Sequence, residues 1–405
     1  MSVLNGLRSA LPKVISAVLL CVVMVLSFLV LGEVYARLRN QKAALGGFTS
    51  AHPVFHHIPI QNYRDRMSSE GDFDVPFSTN NRGLRGARDY LYDKPKSVFR
   101  IAVLGDSFTF GVGVGDEEVF PVILEGLLNA GGSGPYEIEN FGVPSYSPIL
   151  EYIYLKNEVI KYDPDLVVLM LDQSDVYDDY HYQPHLVFDR KNEIVGCDPL
   201  LLRGKPDIWA YCKKYSRFLY MLDQKILQSV LKIRTIGPVN YFSNKLKGKR
   251  NKAEILTNKH IDNIYFDKFF MFRDDRDSKI AEPHWKRTSG YIGMIKEYLD
   301  ARGVRLVLVT YPYGHQVSGK FWNKGRIYWG FEPDKLYDPK DGFSIIEDFA
   351  GSRGIDTINL YDGLQGRSDE GLYFDRDGHW TDAGHRAVAD IIFNSNVFRQ
   401  KLRLK

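Results

Sequence analysis

Five short apolar runs recur along the chain, and segments with the spacing of amphipathic helices lie between them. The runs occupy Phe99–Leu104, Tyr136–Asn140, Asp165–Leu171, Gly303–Thr310 and Ile355–Leu360. Buried strands that alternate with helices in this way are typical of a parallel sheet covered by helices on both faces. The pattern therefore predicts a three-layer α/β/α domain with about five parallel strands.

The intervening helices are predicted from apolar positions three and four residues apart. They cover Glu117–Asn129, Ser147–Tyr162, His284–Ala301 and Phe343–Phe349, and a final helix runs from Thr381 to about Leu402. This last helix follows the fifth strand and completes the alternation.

A long insertion, roughly Val176–Ala281, separates the third and fourth predicted strands. It is rich in Tyr, Phe and Lys, and it contains a helical run at Arg217–Ile233 and a basic run at Lys245–Lys252. A solvated loop is the favoured interpretation of the basic run. Contact with anionic lipid head groups or with an acidic glycan is the alternative.

The N-terminal segment Val14–Gly32 carries no charge and is dense in Val, Leu, Ile, Phe and Met. Its length is close to the roughly 20 residues that span a bilayer, so it predicts a transmembrane helix. A cleaved signal peptide fits less well because Gly32–Ala36 is a poor cleavage site. The chain divides into an anchor (1–39), a lead-in segment (40–98) and the α/β domain (99–405).

The charges that flank this anchor do not indicate its orientation in the membrane. Arg8 and Lys13 precede it and Arg37, Arg39 and Lys42 follow it, so the positive-inside rule does not discriminate. The short N-terminal tail resembles an uncleaved signal anchor. This feature favours a position outside the cytoplasm for the rest of the chain.

The composition, with 44% hydrophobic and 13% aromatic residues, is that of an ordinary globular protein. A net charge of +3 is too small to indicate a nucleic-acid partner. Cys21 lies in the apolar segment, so only Cys197 and Cys212 can pair, and both a disulfide and two free thiols remain open. No Cys/His metal spacing is present, and no cofactor or metal is expected.

The strand that begins at Phe99 stops at Gly105, and Asp106 and Ser107 follow on a turn. A serine hydroxyl there lies at the carboxyl edge of the sheet, where open α/β folds bind ligands. Backbone N–H groups at such a turn can also stabilise a developing oxyanion. Taken alone, the tripeptide Gly105-Asp106-Ser107 is more typical of a capped loop between a strand and a helix, which many α/β proteins contain.

The best candidate base lies near the C-terminus, in Asp377-Gly378-His379-Trp380. His379 occupies a glycine-containing turn just before a helix, from which an imidazole can reach a loop at the same sheet edge. A nearby carboxylate can fix the tautomer of the ring and stabilise the imidazolium. Ser107, His379 and Asp377 are therefore a candidate nucleophile, base and orienting acid.

These segments resemble the conserved blocks of the SGNH/GDSL hydrolase superfamily, in the branch of single-pass or secreted bacterial proteins that includes polysaccharide O-acetyltransferase-like members. Gly105–Gly111 matches the first block, Asn140–Pro144 the second and Asp377–Trp380 the last, in its D-x-H-W form. The resemblance covers about 81–175 and 303–392, and the insertion falls outside it. It implies a flavodoxin-like SGNH fold with the insertion after the third strand.

The resemblance implies that Ser107 attacks an ester carbonyl while His379 takes its proton and Asp377 holds His379. It assigns the oxyanion hole to the N–H groups of Ser107 and Gly142 and to an Asn side chain in the third block. Ser174 stands at that third position, and its hydroxyl is shorter and rotates freely. Loss of one preorganised donor costs roughly a hundredfold or more in turnover. A slower enzyme, one tuned for transfer and a degenerate site all remain open.

Three more residues at this edge are candidates for the substrate cleft. Asp106 precedes the serine, and a local shift would bring Gln173 to the position of Ser174. His315 follows the fourth strand, where a loop role is favoured over a cleft role. Asp175, next to Ser174, is expected to be structural.

A second group of polar side chains follows the third strand and offers metal ligands as an alternative. It comprises Asp172, Asp175, Asp178, Asp179, His181 and His185. An acidic solvated loop is favoured, because Pro184 breaks any helix that would align the two histidines. His385 is expected on the outer face of the last helix.

The sequence thus predicts a serine esterase of the SGNH type acting on an O-acyl ester, foremost an O-acetyl ester, of a cell-envelope glycan or a lipid. A polysaccharide O-acetyltransferase that uses the same site is one alternative. A degenerate domain that binds a glycan or a partner is the other. The predicted location is the bacterial inner membrane, with residues 14–32 in the bilayer and the catalytic domain on the extracytoplasmic side. The sequence identifies no protein partner.

Overall fold

The computed structural model describes residues 2–39, 48–132, 134–216, 218–219, 222, 278–329, 331–338 and 340–403. The strands are β1 (Thr49–His52), β2 (His56–Pro59), β3 (Arg64–Ser69), β4 (Phe73–Ser78), β5 (Phe99–Gly105), β6 (Tyr136–Gly142), β7 (Leu166–Leu171), β8 (Leu186–Phe188), β9 (Ile194–Cys197), β10 (Leu201–Leu202), β11 (Lys205–Pro206), β12 (Arg305–Thr310) and β13 (Asp356–Asn359). The helices are α1 (Ser2–Arg39), α2 (Ser107–Phe110), α3 (Phe120–Ala130), α4 (Pro148–Asn157), α5 (Asp175–Tyr182), α6 (Ile208–Tyr215), α7 (Ser278–Asp300), α8 (Gly314–Val317), α9 (Lys340–Ser352), α10 (Tyr361–Gln365), α11 (Asp382–Asn394) and α12 (Asn396–Arg403).

A five-stranded sheet forms the centre of the molecule, in the order β13-β12-β7-β5-β6. Every neighbouring pair in it is parallel, which confirms the predicted three-layer α/β/α fold. All residues of β5 and β7 are buried, because helices cover both faces. This two-sided burial explains why the strands occur in the sequence as continuous apolar runs.

Two helical layers cover the sheet. Helices α3, α11 and α12 pack on one face, and α4, α7 and α9 pack on the other. The long helix predicted from Thr381 is two helices in the structure, because Ser395 adopts an extended backbone conformation and ends α11. The other predicted helices are present with shifted ends.

The order of the strands brings the candidate residues to one edge. Strand β5 has β6 on one side and β7 on the other, so the chain leaves its carboxyl end at a topological switch point. Open α/β sheets bind their ligands in the crevice at that position. Ser107 follows β5 there, Gly142 is the last residue of β6, and Ser174 follows β7.

The lead-in segment is more structured than its sequence indicates. It forms two antiparallel hairpins, β1–β2 and β3–β4. Their apolar side chains, among them Phe48, Met67 and Phe77, form a small core with Phe110 and Val112 of the α/β domain. The lead-in hairpins therefore pack directly on the segment that carries Ser107.

Helix α1 contains the apolar stretch Val18–Tyr35, which has a mean hydropathy of 2.5. None of its residues is buried against the described part of the chain. Its length and composition suffice to cross a bilayer. Near its end, Glu33 Oε2 accepts hydrogen bonds from Ser216 Oγ at 2.9 Å and from the N–H of Phe218 at 3.0 Å.

The first part of the insertion consists of α5, α6 and two small antiparallel pairs, β8–β9 and β10–β11. The predicted helical run at Arg217–Ile233 lies mostly outside the described residues, and the basic run at Lys245–Lys252 lies wholly outside them. All three cysteines are in the described part of the chain, and each is a free thiol.

Two buried carboxyl groups, Glu139 and Asp179, are expected to contribute stability that is lost as the pH rises from about 5 to about 8. Glu139 of β6 is wholly buried, with Oε1 3.3 Å from Nε of Arg100. Burial raises the pKa of Glu139 to about 8 and that of Asp179 to about 7. The folded state therefore holds protons that the unfolded chain has lost in this range, so deprotonation favours unfolding. Thermal unfolding at a series of pH values measures this loss.

The variant Glu139→Gln keeps the shape of the side chain without a titrating group. We expect its Tm to fall less than that of the wild type over the same pH range. Glu117→Gln, at an exposed position, serves as the control and should follow the wild type. An equal change of Tm with pH in Glu139→Gln and in the wild type would contradict the assignment of a raised pKa to Glu139.

Candidate active site

The turn after β5 holds Ser107 in a fixed position. The carboxylate of Asp106 caps α2 by accepting the N–H of Phe108 at 2.9 Å. Gly105 lies so close to Thr109 that a Cβ at this position would collide with the threonine side chain. Gly111 ends the short helix in a left-handed conformation, with φ 85°. These constraints explain the glycines of the block and present the serine at the sheet edge.

The turn before α11 brings His379 to the same place. Its Nε2 lies 2.7 Å from Oγ of Ser107, although the two residues are 272 positions apart. The imidazole packs on the ring of Phe108, with centroids 4.7 Å apart, and Trp380 is buried beneath that ring. Gly378 has φ 91°, and a Cβ there would lie 2.6 Å from Nε1 of Trp322. The turn thus requires glycine for both conformation and space.

Asp377 completes the group. Its Oδ1 is hydrogen-bonded to Nδ1 of His379 and lies 3.3 Å from the backbone N of the same histidine. Burial acts to raise the pKa of Asp377, but the charge and hydrogen bonds of His379 outweigh it, so the pKa falls below its ordinary value. Asp377 is therefore a carboxylate at neutral pH. It favours the tautomer with hydrogen on Nδ1, which leaves Nε2 to accept the Ser107 proton.

Gly142 is the last residue of β6 and lies beside the segment that carries Ser107. Its N–H donates to Oδ1 of Asn140 at 2.9 Å, and is therefore engaged within its own strand end. A Cβ on Gly142 would collide with the backbone of Thr109 and Phe110. In this structure the residue allows α2 to lie close against β6, and its role in the oxyanion hole stays a prediction.

Ser174 lies buried at the end of β7 and is tied to a neighbouring tyrosine. Its Oγ is 3.2 Å from the hydroxyl of Tyr313, and that hydroxyl donates to Oδ2 of Asp172 at 3.0 Å. The backbone N–H of Ser174 also donates to Asp172. A serine hydroxyl has free rotation in general, but these contacts restrict its position here.

The three predicted cleft residues, Asp106, Gln173 and His315, are all buried. Asp106 is held by Phe108 and by the hydroxyl of Tyr311 at 3.0 Å, and burial, with the charge of Asp172, raises its pKa to about 6. Gln173 packs against Gly342, whose missing Cβ would lie 2.7 Å from the amide.

His315, the third predicted cleft residue, belongs to α8 and is packed among aromatic rings. Its ring centroid lies 4.2 Å from that of Phe331 and 5.3 Å from that of Trp322. Burial, with the positive charge of Arg326, holds the pKa of His315 well below its ordinary value. His315 thus lies on a short helix and not in a loop, and its place in the substrate cleft stays a prediction.

The two histidines after β7, His181 and His185, contact different backbone carbonyl oxygens. Nδ1 of His181 lies 2.9 Å from the carbonyl oxygen of Tyr177, and Nδ1 of His185 lies 2.5 Å from that of Leu201. Asp175 accepts the N–H of Asp172 at 3.1 Å, in agreement with its predicted structural role. His385 was predicted on the outer face of the last helix, which is wrong. It is buried and accepts the N–H of Phe120 at 3.2 Å.

Sequence reasoning missed the tyrosines that support this site. Tyr311 and Tyr313 follow β12, and each donates its hydroxyl to a carboxylate, Asp106 and Asp172 respectively. Their place just after an apolar strand was the available signal, because the carboxyl ends of parallel strands share one edge.

A family model described as "SGNH hydrolase-like domain, acetyltransferase AlgX" matches residues 269–395 of the chain. The matched segment contains Asp377 and His379, whereas Ser107 lies outside it. No curated protein sequence gave a significant match.

Several solved structures are similar to the chain at low identity. They include an acetyl xylan esterase (14% identity, 73% of this chain and 98% of the other covered, TM-score 0.37) and a lipase/acylhydrolase from Enterococcus faecalis (12%, 76% and 97%, 0.37). A catalytic mutant of an acetylxylan esterase from Geobacillus stearothermophilus is a third (11%, 78% and 98%, 0.36).

Residues 269–395 match an SGNH hydrolase-like domain, and this match supports an ester-acting enzyme. The five-stranded parallel sheet agrees with the α/β fold that the sequence predicts for that class. The description of the matched family names an acetyltransferase.

Proposed function

We propose that the protein is an acyl-ester hydrolase in which Ser107 is the nucleophile, His379 the general base and Asp377 the group that orients His379. The observation that carries the proposal is the 2.7 Å separation between Ser107 Oγ and His379 Nε2, with a carboxylate on the other ring nitrogen. A nucleophile, a base and a base-orienting acid in this order are the requirements for acyl transfer through serine.

The reaction proceeds in two stages. Ser107 Oγ forms a bond to the ester carbonyl carbon while its proton moves to Nε2 of His379. The tetrahedral intermediate then releases the alcohol, which takes that proton from His379, and an acyl-serine remains. Water repeats the sequence on the acyl-serine: His379 accepts a proton from the water and returns it to Oγ as the acid leaves.

The oxyanion requires donors at the carbonyl oxygen. The donors in this proposal are the N–H groups of Ser107 and Gly142 and the hydroxyl of Ser174. The backbone N of Gly142 lies 2.9 Å from Oδ1 of Asn140, and Oγ of Ser174 lies 3.2 Å from the hydroxyl of Tyr313, so both donors share their hydrogen bonds with the oxyanion. Tyr313 stabilises Ser174 in position, and this contact offsets part of the rotational freedom that distinguishes serine from asparagine.

Substitution of Ser174 tests this assignment. We expect Ser174→Ala to lower kcat by about 10- to 100-fold with little change in KM, because an oxyanion donor acts mainly in the transition state. Tyr313→Phe should lower kcat by a smaller factor, since Ser174 remains but is no longer held. Steady-state kinetics with p-nitrophenyl acetate measures both. Ser289→Ala removes a buried hydroxyl from α7 and should leave kcat unchanged. An unchanged kcat in Ser174→Ala would contradict the role.

The proposed substrate is an O-acetyl ester of a cell-envelope glycan or of a lipid. The acetyltransferase description of the matched family supports the acetyl group, and the glycan follows from the resemblance described above. The apolar stretch of α1 supports a membrane anchor. The bacterial inner membrane and an extracytoplasmic α/β domain are proposed from the short N-terminal tail.

Acetyl transfer to a glycan hydroxyl is the second candidate, and the match to a family of acetyltransferase description favours it specifically. The chemistry of the first stage is the same. The two activities differ only in whether water or a sugar hydroxyl resolves the acyl-serine.

The full chain in detergent, supplied with p-nitrophenyl acetate with and without an oligosaccharide acceptor, separates these functions. Ser107-dependent release of p-nitrophenol that is insensitive to the acceptor supports the hydrolase. Appearance of acetylated oligosaccharide supports the transferase. Binding of the oligosaccharide without any Ser107-dependent turnover would contradict both and favour a degenerate, glycan-binding domain.

A further inference from the structure

The turn of the β3–β4 hairpin reaches the loop that carries Asp377 and His379. This hairpin belongs to the lead-in segment, about 300 residues away from that loop in sequence. Oδ2 of Asp72 accepts the backbone N–H of Asp377 at 2.6 Å and that of Arg376 at 2.9 Å. One carboxylate oxygen therefore joins two successive peptide groups of the loop.

Apolar contacts fix the same junction. The rings of Phe73 and Phe374, one on each segment, have centroids 4.9 Å apart. Gly113 passes beside them, and a Cβ there would lie 2.5 Å from Phe374 and 3.0 Å from Phe73. The hairpin turn is thus docked through an aromatic contact as well as through Asp72.

The loop is held on another side as well. Oδ1 of Asp375 accepts the N–H of Asn323 at 3.0 Å and that of Lys324 at 3.1 Å. Residues 375–377 are therefore fixed by two sets of charge-assisted hydrogen bonds, one from the segment after β12 and one from the lead-in hairpin. Hydrogen bonds to charged groups are the stronger kind.

We propose that Asp72 is a positioning residue for the Asp377–His379 pair, so that the catalytic unit includes the lead-in hairpin. Asp72 acts by fixing the peptide group of Asp377, whose side chain in turn orients His379. A shift of about 1 Å in such a group is enough to cost about 100-fold in rate. The proposal rests on the proposed function of His379 and Asp377.

The test uses the full chain in detergent and three variants. Asp72→Ala removes the acceptor, Asp72→Asn keeps one oxygen that can accept both N–H groups, and Asp74→Ala is the control in the same hairpin. Asp74 is exposed and pairs with Arg66 at 2.8 Å. We expect Asp72→Ala to lower kcat about 10- to 100-fold with KM nearly unchanged, Asp72→Asn to recover most of the loss, and Asp74→Ala to match the wild type.

Hydrogen exchange at the amides of Arg376 and Asp377 gives a readout that does not depend on catalysis. Exchange there should accelerate in Asp72→Ala and stay slow in Asp74→Ala, while the Tm of the two variants remains similar. A wild-type kcat in Asp72→Ala, an equal loss in Asp72→Asn, or unchanged exchange would overturn the proposal. If the wild type itself shows no Ser107-dependent turnover, the proposed function fails, and the exchange measurement still decides the role of Asp72.

Discussion

Replacement of Ser107 by alanine is expected to lower the rate of p-nitrophenyl acetate hydrolysis by about 10⁴-fold or more. The Ser107 oxygen forms the bond to the acyl group, and His379, whose Nε2 lies 2.7 Å away, accepts the serine proton in that step. The lost hydroxyl leaves the fold intact, because the turn is held by Asp106, Gly105 and Gly111. The Tm should therefore remain near that of the wild type.

Ser352→Ala is the matched control for that variant. Its hydroxyl bonds the carbonyl oxygen of Phe349 at an exposed position on α9, so its removal should leave the rate unchanged. Full activity in Ser107→Ala would show that another nucleophile performs the hydrolysis. A loss of activity accompanied by unfolding would be visible in the Tm and would not count as support.

Replacement of His379 by glutamine is expected to lower kcat by about 10⁴-fold or more as well. Glutamine fills much of the same space but cannot accept and return a proton near neutral pH. The double variant Ser107→Ala/His379→Gln should be hardly slower than either single variant, since both residues act in the same proton transfer. Steady-state kinetics of the three proteins, measured at a series of pH values, tests this non-additivity.

His181→Gln provides the control for the histidine variant. His181 lies on α5, with Nδ1 bonded to the carbonyl oxygen of Tyr177, and has no contact with Ser107. Its variant should retain wild-type kcat. Additive losses in the double variant would indicate that Ser107 and His379 act in separate steps, contrary to the proposed mechanism.

The central sheet was predictable because its strands are buried on both faces. In β7, every residue from Leu166 to Leu171 is apolar and buried, so the strand is visible without any alignment. The turn residues at Ser107 and His379 were predictable for a related reason. Ser107 comes just after a predicted strand, and His379 comes just before a predicted helix. Both lie close to glycines, which are typical of tight turns.

The lead-in hairpins were not predictable in the same way. Strand β3 buries Met67 and leaves most of its other side chains exposed, so no apolar periodicity marks it. The contact between Asp72 and the His379 loop joins residues about 300 positions apart through backbone N–H groups, which leave no trace in the sequence. The burial of His315 and the local hydrogen bond of Gly142 were not predictable for a similar reason. Strand position gives the edge of the sheet but not the direction of an N–H or the burial of a ring.

Covalent labelling tests the central claim most directly. A fluorophosphonate reacts with a serine whose hydroxyl is activated by a base, and peptide mapping then identifies the modified residue. We expect a single phosphonylated peptide, modified at Ser107, in the wild type and at least a 100-fold slower modification in His379→Gln. Modification at a different residue, or equal labelling of Ser107 with and without His379, would contradict the proposed active site.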